Sequence, residues 1–215
     1  MSATLYYTAT SCGAASFISA HRAGILGTKL HAYQADIRAH KVLTGPNAGG
    51  DFYKINPKGN VPTIVLEDGT VLNENAATLQ WIVDNANTSV GPKNGTSARY
   101  LLQSKLSYIS SEVHASYGPL FNPALKEETR AWVVEKLNTK LKYLNDVEFA
   151  DNRKFWIGND FSVADAYLYI VLSWSGYVKV DLTAYPKVQA WWNGIAAEEH
   201  VKAAHALIAK ETPAA

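Results

Sequence analysis

Every clear strand signal in this 215-residue sequence lies ahead of residue 87, and the remainder of the chain carries only helical periodicity. Such an asymmetry predicts a small α/β unit followed by an all-helical one. Residues 5–8 form a short aromatic and β-branched run. The stretch 13–23 reads as a helix stopped by Gly24, and 30–35 alternates as a second strand. The segment LTGPNAGG is a loop, with at most a brief helix before Asn56-Pro57. Residues 61–66 and 70–72 flank Glu67-Asp68-Gly69, which predicts a tight hairpin with positive φ at its Asp-Gly pair. A helix over 74–85 completes the order βαβ, loop, ββα within 1–86.

Residues 87–95 are rich in turn formers and read as a linker. Beyond it, 96–215 is expected to be all helical. Val134, Leu137, Leu141 and Leu144 recur at helical spacing, and 166–173 is apolar on every side, as a helix at the centre of a bundle would be.

Charge and cysteine content narrow the function classes. Lys and Arg number 20 against 19 Asp and Glu, with six of each sign in 1–86, so no basic field for nucleic acid exists. Cys12 is the only cysteine, which excludes an internal disulfide and any multi-cysteine metal site and suits a reducing compartment. The opening MSATLYYTAT lacks a leader pattern, so a cytoplasmic location is expected. The apolar stretch 166–178 is interrupted by Ser173, Ser175 and Gly176 and is too short to span a bilayer. No membrane association and no metal are expected.

Chemistry concentrates at two places. Cys12 falls where strand turns into helix, with Thr10 or Ser11 available as N-cap. Free N–H groups there favour a thiolate, although a buried apolar cysteine fits the position equally well. Tyr7, at the strand end, carries a phenol that can donate to a sulfur anion. Val61-Pro62 interrupts a β-run. A cis bond there would turn the Val61 backbone outward to pair with a peptide ligand, and a trans proline at a strand start is the alternative.

Together, Tyr7, Cys12, the stretch INPKGNVPTIVLEDGTVLNENAA, FSVADAY, SEVHASYGPLF and DLTAYPKVQAWW resemble a glutathione S-transferase. The similarity covers nearly the whole chain and is closest to the bacterial beta-type class with an active-site cysteine. It implies a thioredoxin-like domain followed by a helical domain, with glutathione as co-substrate. It further implies that Asn60, Val61 and Pro62 hold the cysteinyl part of glutathione, and that Glu74 and Asn75 hold the γ-glutamyl part. His40 and Lys41 would lie near the glycine carboxylate, with Cys12, Tyr7 and Ser11 beside the sulfur. The sequence departs from the class at Gly13, where serine is usual, and at Ala9-Thr10, where proline-glycine is usual.

The helix expected over 96–117 carries two stripes. Leu102, Leu106, Ile109, Val113 and Tyr117 form an apolar one; Ser104, Ser107, Ser111 and His114 form a small-polar one. A solvent face would carry Lys and Glu, so the second stripe predicts a cleft or an interface. The resemblance implies a homodimer in which Ser111 and Glu112 reach a partner's glutathione, and places His114 beside the sulfur. Ser162-Val-Ala-Asp165 matches a capping box and is read as a folding device. Trp191-Trp192 and Tyr185-Pro186 are read as core and helix start.

The expected activity is conjugation of the glutathione thiolate to small, largely apolar electrophiles. Two alternatives stand beside it: thiol transfer or peroxide reduction by Cys12 itself, and a non-catalytic glutathione-binding protein on the same fold.

Overall fold

A computed structural model describes residues 2–212. The first half runs β1 (Ala3–Tyr7), α1 (Gly13–Arg22), β2 (Leu30–Asp36), β3 (Lys41–Val42), β4 (Thr63–Val65), β5 (Val71–Leu72) and α2 (Asn75–Asn85). The second half is helical: α3 (Ser97–Tyr108), a π-helical segment (Ile109–His114), a last turn α4 (Ala115–Tyr117), α5 (Glu127–Tyr143), α6 (Val163–Ser173), α7 (Pro186–Ala197) and α8 (Glu199–Glu211). This is a thioredoxin-like unit followed by a helical one.

The sheet order is β3-β2-β1-β4-β5. β1 pairs with β2 in parallel, across the α1 crossover, and with β4 antiparallel, so the central strand is covered on both edges. Period-2 alternation decides which way β1 faces. Ala3, Leu5 and Tyr7 point into the main core, while Tyr6 points to the opposite face and packs with Val42, Phe52 and Val61. The main core continues without interruption from β1 and α1 into α6, α7 and α8, so helices of the second half are packed directly on the first.

The structure departs from the sequence reading in a few places. β3 is an addition: two residues suffice to pair antiparallel with 35–36 of β2 before the chain enters its loop. In the hairpin only Gly69 takes positive φ, at 85°, because a three-residue loop needs one left-handed residue rather than two. The linker is tacked down, since the N–H groups of Asn87 and Thr88 both donate to Ala23 O and Val90 is fully buried.

The π-helical segment sits in the middle of the helix expected over 96–117. All five apolar stripe residues are buried, and Ser104, Ser107 and Ser111 are exposed. Ser162 and Asp165 form the capping box at the head of α6: Asp165 Oδ2 accepts from Ser162 N–H at 2.8 Å and Ser162 Oγ–H at 2.7 Å.

Candidate active site

The β1–α1 turn is built by its own hydroxyls. Ser11 Oγ donates to Thr8 O at 2.9 Å and accepts from Gly13 N–H at 3.1 Å, capping the first turn of α1 from one residue before Cys12. Gly13 leaves room that a serine would contest, because an added Cβ would sit 3.1 Å from Tyr7 Cβ.

A second frame is built by asparagines. Asn56 is fully buried, and its Nδ2 donates to Asn60 O at 2.8 Å and Thr63 Oγ1 at 3.0 Å, while its Oδ1 accepts from Asn73 Nδ2 at 3.0 Å. Asn60 Nδ2 in turn donates to Asn73 O at 3.1 Å. These bonds satisfy polar groups that would otherwise be stranded. They also hold the loop containing the Val61-Pro62 peptide, which is cis, against the residue preceding Glu74.

Between the two frames and the helices lies a cavity of about 1100 Å³. Seven residues expected at the site line it: Ser11, Cys12, Asn60, Val61, Glu74, Asn75 and His114. Tyr7, Pro62, His40, Lys41, Ser111 and Glu112 do not.

Each of the six that do not has a physical reason. Tyr7 is wholly buried, its ring 4.9 Å from that of Phe17, and its hydroxyl donates to Glu211 Oε2 at 3.2 Å on α8. Burial and the adjacent Glu211 carboxylate push the phenol up and keep its proton, but that O–H is committed to Glu211, away from the cavity. Pro62 is buried behind Val61. His40 stacks on Tyr53 at 4.2 Å, Lys41 is exposed on β3, Ser111 Oγ donates back to Ser107 O at 2.9 Å, and Glu112 pairs with Lys140 at 2.5 Å.

Of the two sequence readings of Cys12, the buried cysteine is the one that matches its environment. Its Sγ–H donates to Val61 O at 3.4 Å, and burial pushes the thiol up to about 12. The backbone N–H groups of Cys12 and Gly13 pull the other way but are outweighed. At neutral pH the group is a thiol, not the thiolate that the helix terminus alone would favour.

Glu74 stands at the mouth, exposed and paired with Lys58 Nζ at 2.8 Å. Asn75 lies buried beneath it and donates from Nδ2 to Cys12 O at 3.2 Å. His114 Nδ1 is 2.8 Å from Tyr167 Oη, and its ring meets Trp174 edge-on at 4.9 Å. Burial lowers its pKa, so the imidazole is neutral near pH 7.

The sequence reading missed several lining residues. Trp174, Tyr167, Phe121, Ile37, Arg38 and Thr212 all line the cavity. Trp174 is fixed by donating from Nε1 to Thr10 O at 3.0 Å, and Thr212 by accepting from Gln34 Nε2 at 2.9 Å. A usable signal existed for Tyr167: a phenol inside an otherwise apolar buried helix must find a polar partner.

Known proteins identify the family. Residues 29–85 match the family model for the N-terminal domain of glutathione S-transferase, and 108–199 match that for its C-terminal domain. The chain is 34% identical over 201 residues to glutathione S-transferase GstA of Escherichia coli O157:H7, covering 92% of this chain and 94% of that protein. The chain belongs to the glutathione S-transferase family.

Within the family its likeness is to bacterial members. A sphingomonad glutathione S-transferase solved in complex with glutathione superposes with a TM-score of 0.86 at 36% identity, over 96% of this chain and 98% of that one. The beta-class glutathione S-transferase of Sphingomonas chungbukensis gives 0.85 at 33% identity, over 95% and 98%. This glutathione S-transferase is therefore of the bacterial beta type, and an enzyme of the transferase class. Among the described residues no helix is long and apolar enough to cross a membrane, and no cluster of three or more His, Cys, Asp or Glu residues could hold a metal ion.

Proposed function

We propose that this transferase binds glutathione along the asparagine-framed wall of the cavity, ionises its thiol at the floor, and conjugates it to small electrophiles held against the aromatic wall. One observation carries the reading. The Val61 backbone at a cis-proline, the Glu74 carboxylate, Cys12 and His114 share one cavity with the apolar side chains of Phe121, Trp174 and Ile37.

The peptide backbone of glutathione pairs with Val61 as an added strand. Its γ-glutamyl amine meets Glu74, in competition with Lys58, while Asn75 supports the floor from below. Asn60 Nδ2 has a second N–H beyond the one given to Asn73 O, whereas both donors of Ser11 are held by Thr8 O; Lys41, set back from the wall beside His40, supplies positive field toward the glycine carboxylate. The reaction needs no protein nucleophile, because glutathione brings its own; the protein's part is to stabilise the sulfur anion.

Thiol transfer through Cys12 is the second reading. It is favoured by the position of Cys12 on the cavity floor and disfavoured by the protonated, carbonyl-bonded state of that thiol.

Residues 1–86 form the glutathione-binding unit, 87–95 the linker and 96–215 the acceptor unit. The exposed Ser104, Ser107 and Ser111 stripe supports a homodimer in which Ser111 and Glu112 approach a second copy's cavity. A single free cysteine suits a cytoplasmic enzyme that clears electrophiles.

Retention on immobilised glutathione and turnover with an aromatic halide acceptor test the reading. Absence of both rejects it. A monomeric mass in light scattering at micromolar concentration rejects the dimer.

A further inference from the structure

Tyr167 is the one tyrosine lining the cavity among the described residues. It rides on α6, a helix buried on all sides, and its Oη lies 2.8 Å from His114 Nδ1. The same phenol faces Ser110 and Asn75 and lies near Cys12 and the Glu74 carboxylate. We propose that Tyr167 is a catalytic residue of this transferase, its phenol donating a hydrogen bond to the glutathione sulfur while His114 holds the phenol oxygen from behind. The proposal rests on the glutathione-conjugating function proposed above.

Three features single out this side chain. Tyr7, the phenol that the strand end offers, is turned away and consumed by Glu211. The Cys12 S–H is spent on Val61 O. Tyr167 has one proton and two lone pairs. When neutral His114 carries its proton on Nδ1 and donates to the phenol oxygen, the phenolic O–H is free to point into the cavity. The titratable groups facing it are Cys12 at the head of α1, Glu74 ahead of α2, and His114 on the π-helical segment. Of these, the Glu74 carboxylate carries a negative charge that opposes a thiolate, and the Cys12 thiol brings no positive charge to offset it, so a directed donor is needed there. Burial holds the phenol in its protonated form, which suits a donor and not an acid.

The step balances simply. Glutathione S–H gives its proton to water, and the sulfur anion accepts the Tyr167 O–H hydrogen bond without taking that proton. A sulfur lone pair then forms the bond to the acceptor carbon, and the halide leaves with the bonding pair. The donor is strongest before the C–S bond removes the sulfur's charge, so its effect is read in thiol ionisation.

The test is Tyr167→Phe, with ultraviolet absorbance of the bound glutathione thiolate titrated against pH beside kcat and KM. The expected result is a midpoint raised by roughly one to two pH units and a kcat lowered about 10- to 100-fold at pH 6.5, as for loss of one hydrogen bond to a charged group. KM for glutathione should change less than about twofold, because the peptide contacts remain. Site-specific replacement of Tyr167 by 3-fluorotyrosine, which keeps the shape and acidifies the phenol, should lower the midpoint instead. Superimposable titrations of wild type and Tyr167→Phe overturn the proposal; if the phenylalanine variant does not fold, an unmoved midpoint in the fluorotyrosine protein does so. Absence of any thiolate signal in the wild type overturns the glutathione reading itself.

Discussion

Asn75 Nδ2 donates to the carbonyl oxygen of Cys12 at 3.2 Å, tying the first residue of α2 to the residue that opens α1. Its Oδ1 accepts from Ser16 Oγ at 2.9 Å, so a single buried amide spans the two helices. Asn75→Ala removes both bonds, leaving Ser16 Oγ with Thr78 Oγ1 and the Cys12 carbonyl with Ala15 N–H. It should cost about 1–3 kcal/mol in urea unfolding.

Cys12 titrates from an ordinary value near 9 up to about 12 in the folded protein. Because the folded state holds the proton more tightly, the stability it contributes is complete below pH 9 and is lost as pH rises from 9 to 12. Cys12→Ala should flatten the fall of melting temperature across that window. Cys12→Ser should retain measurable conjugation and abolish any thiol exchange; conjugation lost from a folded, glutathione-binding Cys12→Ser protein would make the sulfur essential.

Tyr7→Phe removes a hydroxyl that reaches α8 rather than the cavity. Conjugation should stay within about twofold of wild type. The lost bond to Glu211 should lower stability by about 1 kcal/mol in a melting curve.

Acid sensitivity should come from His200. Burial and the neighbouring Arg22 charge hold it down at about 4, and its Nε2 is buried without a hydrogen-bond partner. The unfolded chain takes up a proton as pH falls through 6.5 while the folded chain resists until about 4, so stability present above pH 6.5 is lost between those values. His200→Gln should make the decline of melting temperature over pH 6.5 to 4 shallower.

Ser162→Ala with Asp165→Ala removes the cap of α6 and the acceptor for Trp156 N–H at 2.7 Å. The pair should cost about 1–4 kcal/mol while leaving the glutathione affinity of the folded fraction intact, since neither residue lines the cavity. An unchanged melting temperature would contradict the capping role.

The order of strands and helices is legible in the sequence because local signals coincide there with tertiary need: Gly24 stops α1, Gly69 turns the hairpin and Ser162 caps α6. β3 is not, because two residues carry no periodicity. The π-helical turn at 109–114 is not, because it is a change of hydrogen-bond pattern and leaves the apolar spacing intact. In the site, residues close in sequence to Cys12, Val61 and Glu74 are readable, since the turn, the proline and the helix start each have a local signature. The direction of Tyr7 depends on where α8 packs, two hundred residues away, and no local pattern carries it. Trp174 is hidden in a segment whose composition reports only burial, and Tyr167 stands out there only as a phenol in need of a polar partner.

The outer strands of the sheet, 41–42 and 71–72, are two residues each. So short a border exposes too little free backbone for another chain to continue the ladder, which protects the molecule from edge-to-edge stacking. Self-association, if it is to be specific, is thereby pushed onto side-chain surfaces of the helical half. Any pairing of copies would then be set by the fit of helix faces, leaving the Val61 backbone free for a peptide ligand.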